Sequence, residues 1–207
     1  DPPRFARTAV AADLARWQAR AEALQLALDS ARARAGTIQG LARSLVSPAY
    51  NRALAIEPLL RRLQQLDMWA QFQVENELLL NFLPMLSRVD VKMMVDHCGR
   101  PDGMRGVSQP GFQSLLSLGR EQRAVVKLSG FAKFSQAGYP FVDARPYVEA
   151  LAHSFGLSQC VWASDWPYLK APYRLDYGPM LRVYEQMFSS QERHQLMWLS
   201  AKHHLGF

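Results

Sequence analysis

Three short apolar runs, each stopped abruptly by ionisable or chain-breaking residues, constrain this chain more than any other feature. Val91–Val95 ends in Asp96-His97, and Gly99 and Pro101 then break the chain. Ala124–Leu128 ends in Ser129-Gly130, and Val161–Ala163 ends in Ser164-Asp165-Trp166-Pro167. A short apolar run bounded by turn residues is the pattern of a strand buried on both faces. Such strands belong to parallel sheets, which place ligands beyond the C-terminal ends of their strands. Chemically capable residues at three consecutive strand ends therefore imply an enzyme built on a parallel sheet.

The rest of the chain alternates strand and helix around these runs. The Ala/Leu/Arg/Gln-rich stretch Ala11–Ala35 contains neither Gly nor Pro, which favours a helix. Strands are expected at Ile38–Val46, Met68–Val74, Val91–Asp96, Val125–Leu128 and Cys160–Ala163. Helices are expected at Ala53–Leu66, Glu77–Arg88 (kinked at Pro84), Pro110–Leu118, Asp143–Phe155 with Asp143 as N-cap, Tyr177–Phe188, and Gln191–His204 capped by Ser190 and stopped by Gly206. About five βα units in sequence order give an α/β fold with a parallel sheet. The expected division is a helical segment, 1–36, and the strand-and-helix body, 37–207.

Length and charge narrow the function classes. The 207 residues suffice for one sizeable core. No apolar run is long enough to cross a bilayer, and no membrane contact is expected. The two cysteines, Cys98 and Cys160, make no disulfide framework, and a reducing cytoplasm is the simple expectation. The net charge is +6, but much of it lies in the N-terminal segment, at Arg4, Arg7, Arg16, Arg20, Arg32 and Arg34. With no basic run interleaved with aromatics, nucleic-acid binding is not expected.

The string Asp96-His97-Cys98-Gly99-Arg100-Pro101-Asp102, followed in order by Lys127-Leu128-Ser129-Gly130 and Ala163-Ser164-Asp165-Trp166-Pro167, resembles the amidohydrolase-related hydrolases. The nearest branch contains pyrone-dicarboxylate hydrolases and sugar lactonases. The resemblance runs from about Ile56 to Phe207, with Glu57-Pro58-Leu59-Leu60 ahead of a barrel strand and Leu205-Gly206-Phe207 at the end. It implies a (β/α)8 barrel in which His97 ends strand six and Asp165 ends strand eight. The five strands would then be strands four to eight, a partial barrel. The family's strand-one His-x-His pair has no counterpart here; the adjacent His203-His204 lie in the last helix. Arg43 is the nearest match to a strand-four arginine.

Each candidate residue also has a plainer reading. His97 is either a buried histidine satisfied by the backbone or a donor to a substrate carbonyl or a metal. Asp165 is either an N-cap or, by resemblance, the base that deprotonates the hydrolytic water. Ser129 lines the pocket or bonds a turn. Lys127, inside an apolar strand, needs a carboxylate partner or reaches the site. Arg100 clamps a substrate carboxylate or pins the Pro101-Asp102 turn. Trp166 and Tyr168 wall a pocket or only pack. Cys98 has no second histidine placed to activate it and reads as a small buried residue.

The resemblance implies hydrolysis of a small lactone-like or carboxylated metabolite, with Asp165 as general base and His97 polarising the carbonyl. A divalent metal such as zinc normally takes three protein ligands. His97 and Asp165 alone are in evidence, so no complete metal site is expected. The rival readings are a catalytically inactive barrel fragment and a basic binding or assembly module. Open sheet edges at Ile38–Val46 and Cys160–Ala163 would favour self-association.

Overall fold

The computed structural model describes residues 49–168, 171 and 173–206, with the backbone alone for 49–55. All of them belong to one compact unit, Ser47–Phe207. The expected helix Ala11–Ala35, the expected strand Ile38–Val46 and Arg43 lie outside the described residues.

Within the described residues the chain alternates as α1 (Ala49–Gln65), β1 (Trp69–Phe72), α2 (Leu78–Leu86), β2 (Lys92–Val95), α3 (Pro110–Arg120), β3 (Val125–Leu128), α4 (Arg145–Phe155), β4 (Cys160–Trp162) and α5 (Tyr177–Met187). Two short helices follow, α6 (Ser190–His194) and α7 (Ser200–Leu205), joined by a π-helical turn over Gln195–Leu199. The strands form one sheet in the order β1-β2-β3-β4, every pair parallel. Sequential parallel strands linked by helices are the repeating unit of a (β/α)8 barrel, here present in part.

Local chemistry explains the element ends. Pro110 opens α3 at the position where a missing N–H costs nothing. Pro84 and Pro58 lie inside α2 and α1. Gly206, at φ 72°, closes α7 in the left-handed conformation. Two expected caps differ. The last helical run is capped by Ser189, whose hydroxyl accepts from the Glu192 N–H while Glu192 reaches back to the Ser189 N–H. Asp143 does not cap α4. Its carboxylate instead accepts from Ser135 Oγ and from the N–H groups of Gln136 and Ala137, closing the loop ahead of the helix. A short aspartate bonds whichever N–H groups the chain brings nearest, and here these are in that loop.

The core lies between the helices and the outer face of the sheet. Phe112, Leu115, Leu151 and Phe155 are fully buried there. Each such side chain contributes about 1.5–3 kcal/mol. On the inner face, side chains two residues apart stack in tiers. Met94, Val125 and Val161 form an apolar cluster against which Trp69 packs. Two residues further along the first three strands come Gln71, Asp96 and Lys127, which bond to one another. Alternation along parallel strands makes an apolar tier with a polar tier directly above it.

Candidate active site

The polar side chains collect beyond the C-terminal ends of β2, β3 and β4. After β2, the Asp96 N–H donates to Phe72 O, prolonging the ladder by one bond (2.9 Å). The chain then turns through His97, Cys98, Gly99 and Arg100, all at positive φ (53°, 56°, 72° and 43°). Three of these carry side chains that disfavour the left-handed region, at a cost of order 1–3 kcal/mol each. The turn aims His97 inward. On the facing strand end, Gly130 lies at φ 69°, and a Cβ there would sit 2.7 Å from His97 Nδ1. Glycine is required at that position both for its backbone and for the imidazole beside it.

His97 touches two partners. Its Nδ1 lies 3.0 Å from Ser129 Oγ and its Nε2 lies 3.6 Å from Asp165 Oδ1. Asp165, itself at φ 60°, pairs through Oδ2 with Lys133 Nζ at 2.9 Å. His97, Asp165 and Lys133 are each largely buried, with side-chain exposures of 13%, 15% and 13%. Burial is the main influence on His97 and pulls its proton affinity below the usual histidine range; Asp96 and Asp165 oppose it, while Lys133 and Lys127 add to it. The ring is therefore neutral at neutral pH. Cys98 is fully buried, with its thiol pushed up to about 12 and pointing at Ser129 O. A thiol so protonated is not a nucleophile.

The structure thus brings together His97, Ser129 and Asp165 from three strand ends. Lys127 finds the carboxylate partner that its place in an apolar strand demanded: its Nζ lies 3.0 Å from Asp96 Oδ1. Arg100 pairs with Glu75 and lies in the loops above the sheet. Trp166 is 66% exposed. No helix starts at Asp165, so it does not cap one; its carbonyl instead accepts from the Tyr168 N–H across a turn. Lys133 and Gln71 escaped the sequence reading. The signal was present for both: each is a lone polar residue between apolar neighbours, Ala132-Lys133-Phe134 and Ala70-Gln71-Phe72.

The described donors do not make up a zinc site. Among the described residues no group of three His, Cys, Asp or Glu side chains could hold an ion. One oxygen of Asp165, moreover, already faces an ammonium. Nor, among the described residues, is any helix long and apolar enough to cross a membrane.

Known proteins resemble this chain over part of its length. The 4-sulfomuconolactone hydrolase of Rhizobium radiobacter is 27% identical over 105 residues, covering 51% of this chain and 35% of that protein. The L-fucono-1,5-lactonase of Burkholderia ambifaria is 33% identical over 100 residues, covering 46% of this chain and 33% of that protein. Among solved structures, a candidate 2-pyrone-4,6-dicarboxylic acid hydrolase from Pseudomonas putida superposes with a TM-score of 0.65 at 28% identity, covering 72% of this chain and 55% of that one. This chain therefore spans about half of that structure, and its matches span about a third of each curated relative. The amidohydrolase family profile matches residues 1–207, and the chain belongs to the amidohydrolase family.

Proposed function

We propose that this chain carries the catalytic strand ends of a hydrolase that opens a small lactone bearing a carboxylate or a similar acidic group. The carrying observation is the gap between His97 Nε2 and Asp165 Oδ1, 3.6 Å. It is too long for a good hydrogen bond, and it sets a donor and a base on the two sides of one reacting centre.

In this reading the Ser129 hydroxyl donates to His97 Nδ1, leaving the proton on Nε2. The Nε2–H then donates to the lactone carbonyl oxygen. Lys133 holds Oδ2 of Asp165, so Oδ1 is the oxygen left to take a proton from water. The hydroxide so formed attacks the carbonyl carbon, and the oxyanion is held by Nε2–H. Collapse breaks the ring C–O bond. The leaving alkoxide takes the proton back from Asp165, giving a hydroxy acid with no oxidation or reduction. The residues described need no metal for these steps. Arg100 would meet a substrate carboxylate if that group displaced Glu75, and Trp166 belongs to the same proposed rim. The Ser129 hydroxyl and the Lys127 ammonium line the floor.

The test is a panel of lactones drawn from the relatives' names: 4-sulfomuconolactone, L-fucono-1,5-lactone and 2-pyrone-4,6-dicarboxylate, followed by acid release. Turnover that is lost in Asp165→Asn supports the reading. Full turnover in Asp165→Asn would remove Asp165 as the base. The short span against its relatives favours a second reading, in which turnover needs further barrel strands supplied by a partner or a second copy. Turnover by this chain as a monomer, measured with its solution mass, decides against that second reading.

A further inference from the structure

We infer that Asp96 and Lys127 form an oriented ion pair that positions and polarises His97 during catalysis, with Gln71 holding Asp96 in place. The inference rests on the proposed roles of His97 and Asp165. Asp96 Oδ2 accepts from Gln71 Nε2 at 2.7 Å, and Oδ1 lies 3.0 Å from Lys127 Nζ as an ion pair that lacks hydrogen-bond geometry.

Stability does not account for these charges. The Asp96 and Lys127 side chains are only 10% and 21% exposed, and a buried ion pair is commonly no more stabilising than apolar residues of the same volume. The tier directly below, Trp69, Met94, Val125 and Val161, shows that this inner face accepts apolar packing. The charges instead stand in the tier between that packing and the reacting groups.

Their orientation matters. Asp96 directly precedes His97 in the chain, whereas Lys127 reaches the pair from the neighbouring strand, and the Asp96 carboxylate favours a positive imidazole while the Lys127 ammonium disfavours it. Asp165 acts in the same sense as Asp96, and Lys133 in the same sense as Lys127. The negative member of the pair is thus the one joined directly to His97. When Nε2–H donates to a developing oxyanion, the ring gains positive character. A fixed negative charge behind it lowers the cost of that step without reorganisation. Gln71 and Lys127 keep the Asp96 carboxylate from swinging away. All three are positioning residues rather than groups that touch substrate.

The experiment compares Asp96→Asn, Lys127→Met and the double variant D96N/K127M in the full chain. Each single variant leaves one buried group without its counter-charge and is expected to lower the melting temperature. The double variant removes both charges and is expected to recover most of that loss. On the best-turned-over lactone of the panel, its kcat is expected to stay about tenfold below that of the parent, with KM within about twofold. A double variant that recovers both its melting temperature and the parental kcat overturns the inference and leaves the Asp165 reading intact, because Asp165→Asn remains inactive. If the parent turns over no lactone of the panel, the nitrogen-15 shifts of the His97 ring at neutral pH decide. Shifts that move in the double variant support the inference, and unchanged shifts overturn it.

Discussion

The two ends of the sheet are built from similar residue types and behave differently. At the N-terminal end of the strands, a cavity of about 370 Å³ is lined by Asp67, Asp90, Lys92, Arg123 and His204, among others. Four of these five side chains have partners. Lys92 pairs with Asp67 at the surface, where the two side chains are 46% and 81% exposed. Arg123 donates to Leu86 O and Val89 O, and His204 Nε2 meets Ser158 O. At the C-terminal end, the charges are buried and His97, Cys98, Arg100 and Asp165 have left-handed backbone. The lesson is that composition does not mark the site. What marks it is charge held out of water.

The sharpest test of the comparison is the His97 imidazole. His97→Gln removes the proposed oxyanion donor and is expected to lower kcat/KM by about 10²–10³, the usual loss for one such group. Steady-state kinetics on the lactone panel reads it. Gly130→Ala comes next. It places a Cβ against His97 in a backbone region that alanine disfavours, and a loss of about 1–3 kcal/mol of stability is expected. Thermal unfolding that is unchanged in this variant would show that the close approach of Gly130 to His97 does not hold in solution. Ser129→Ala frees His97 Nδ1 and unfixes the tautomer; a loss of about tenfold in kcat is expected, with the fold kept.

The pH dependence follows from the direction of the His97 shift. Its proton affinity is lowered in the folded state by burial. The unfolded chain therefore binds this proton at a higher pH than the folded one does. Stability from this group is present above the usual histidine range and falls as the pH drops through the lowered folded value. Turnover, which needs the neutral ring, is expected to hold down to a pH below the usual histidine range and then fall. A pH–rate profile whose acid limb sits above that range breaks the account. The smallest effect is expected at the other end of the sheet. Lys92→Met removes a surface ion pair and is expected to change stability by less than about 1 kcal/mol and kcat not at all. A loss of activity there would dissolve the distinction between the two ends.

How much of this was legible beforehand depends on the range of the interactions involved. The βα rhythm was legible because apolar runs and their breakers act locally. Val125–Leu128 forms β3 with no change of bounds, and the other described strands and helices shift by a few residues at their ends. His97, Ser129 and Asp165 could be named as strand-end residues because a parallel strand ends where its apolar run ends. Lys127 was known to need a partner because an ammonium in an apolar run cannot stay unpaired.

Partners were another matter. Asp96 beside Lys127 and Lys133 on Asp165 each depend on which residues the sheet brings across from another segment, and Asp143 on how the loop ahead of α4 folds back. Sequence alone determined the order of the described elements, the strand ends that carry ionisable side chains, and the family those motifs belong to, because these depend on periodicity and short motifs. Only the tertiary structure decided that His97 faces Ser129 and Asp165 at once, and that a tier of paired charge lies beneath it. Those contacts join residues some thirty to seventy positions apart, and they exist only once the sheet has brought separate strand ends side by side.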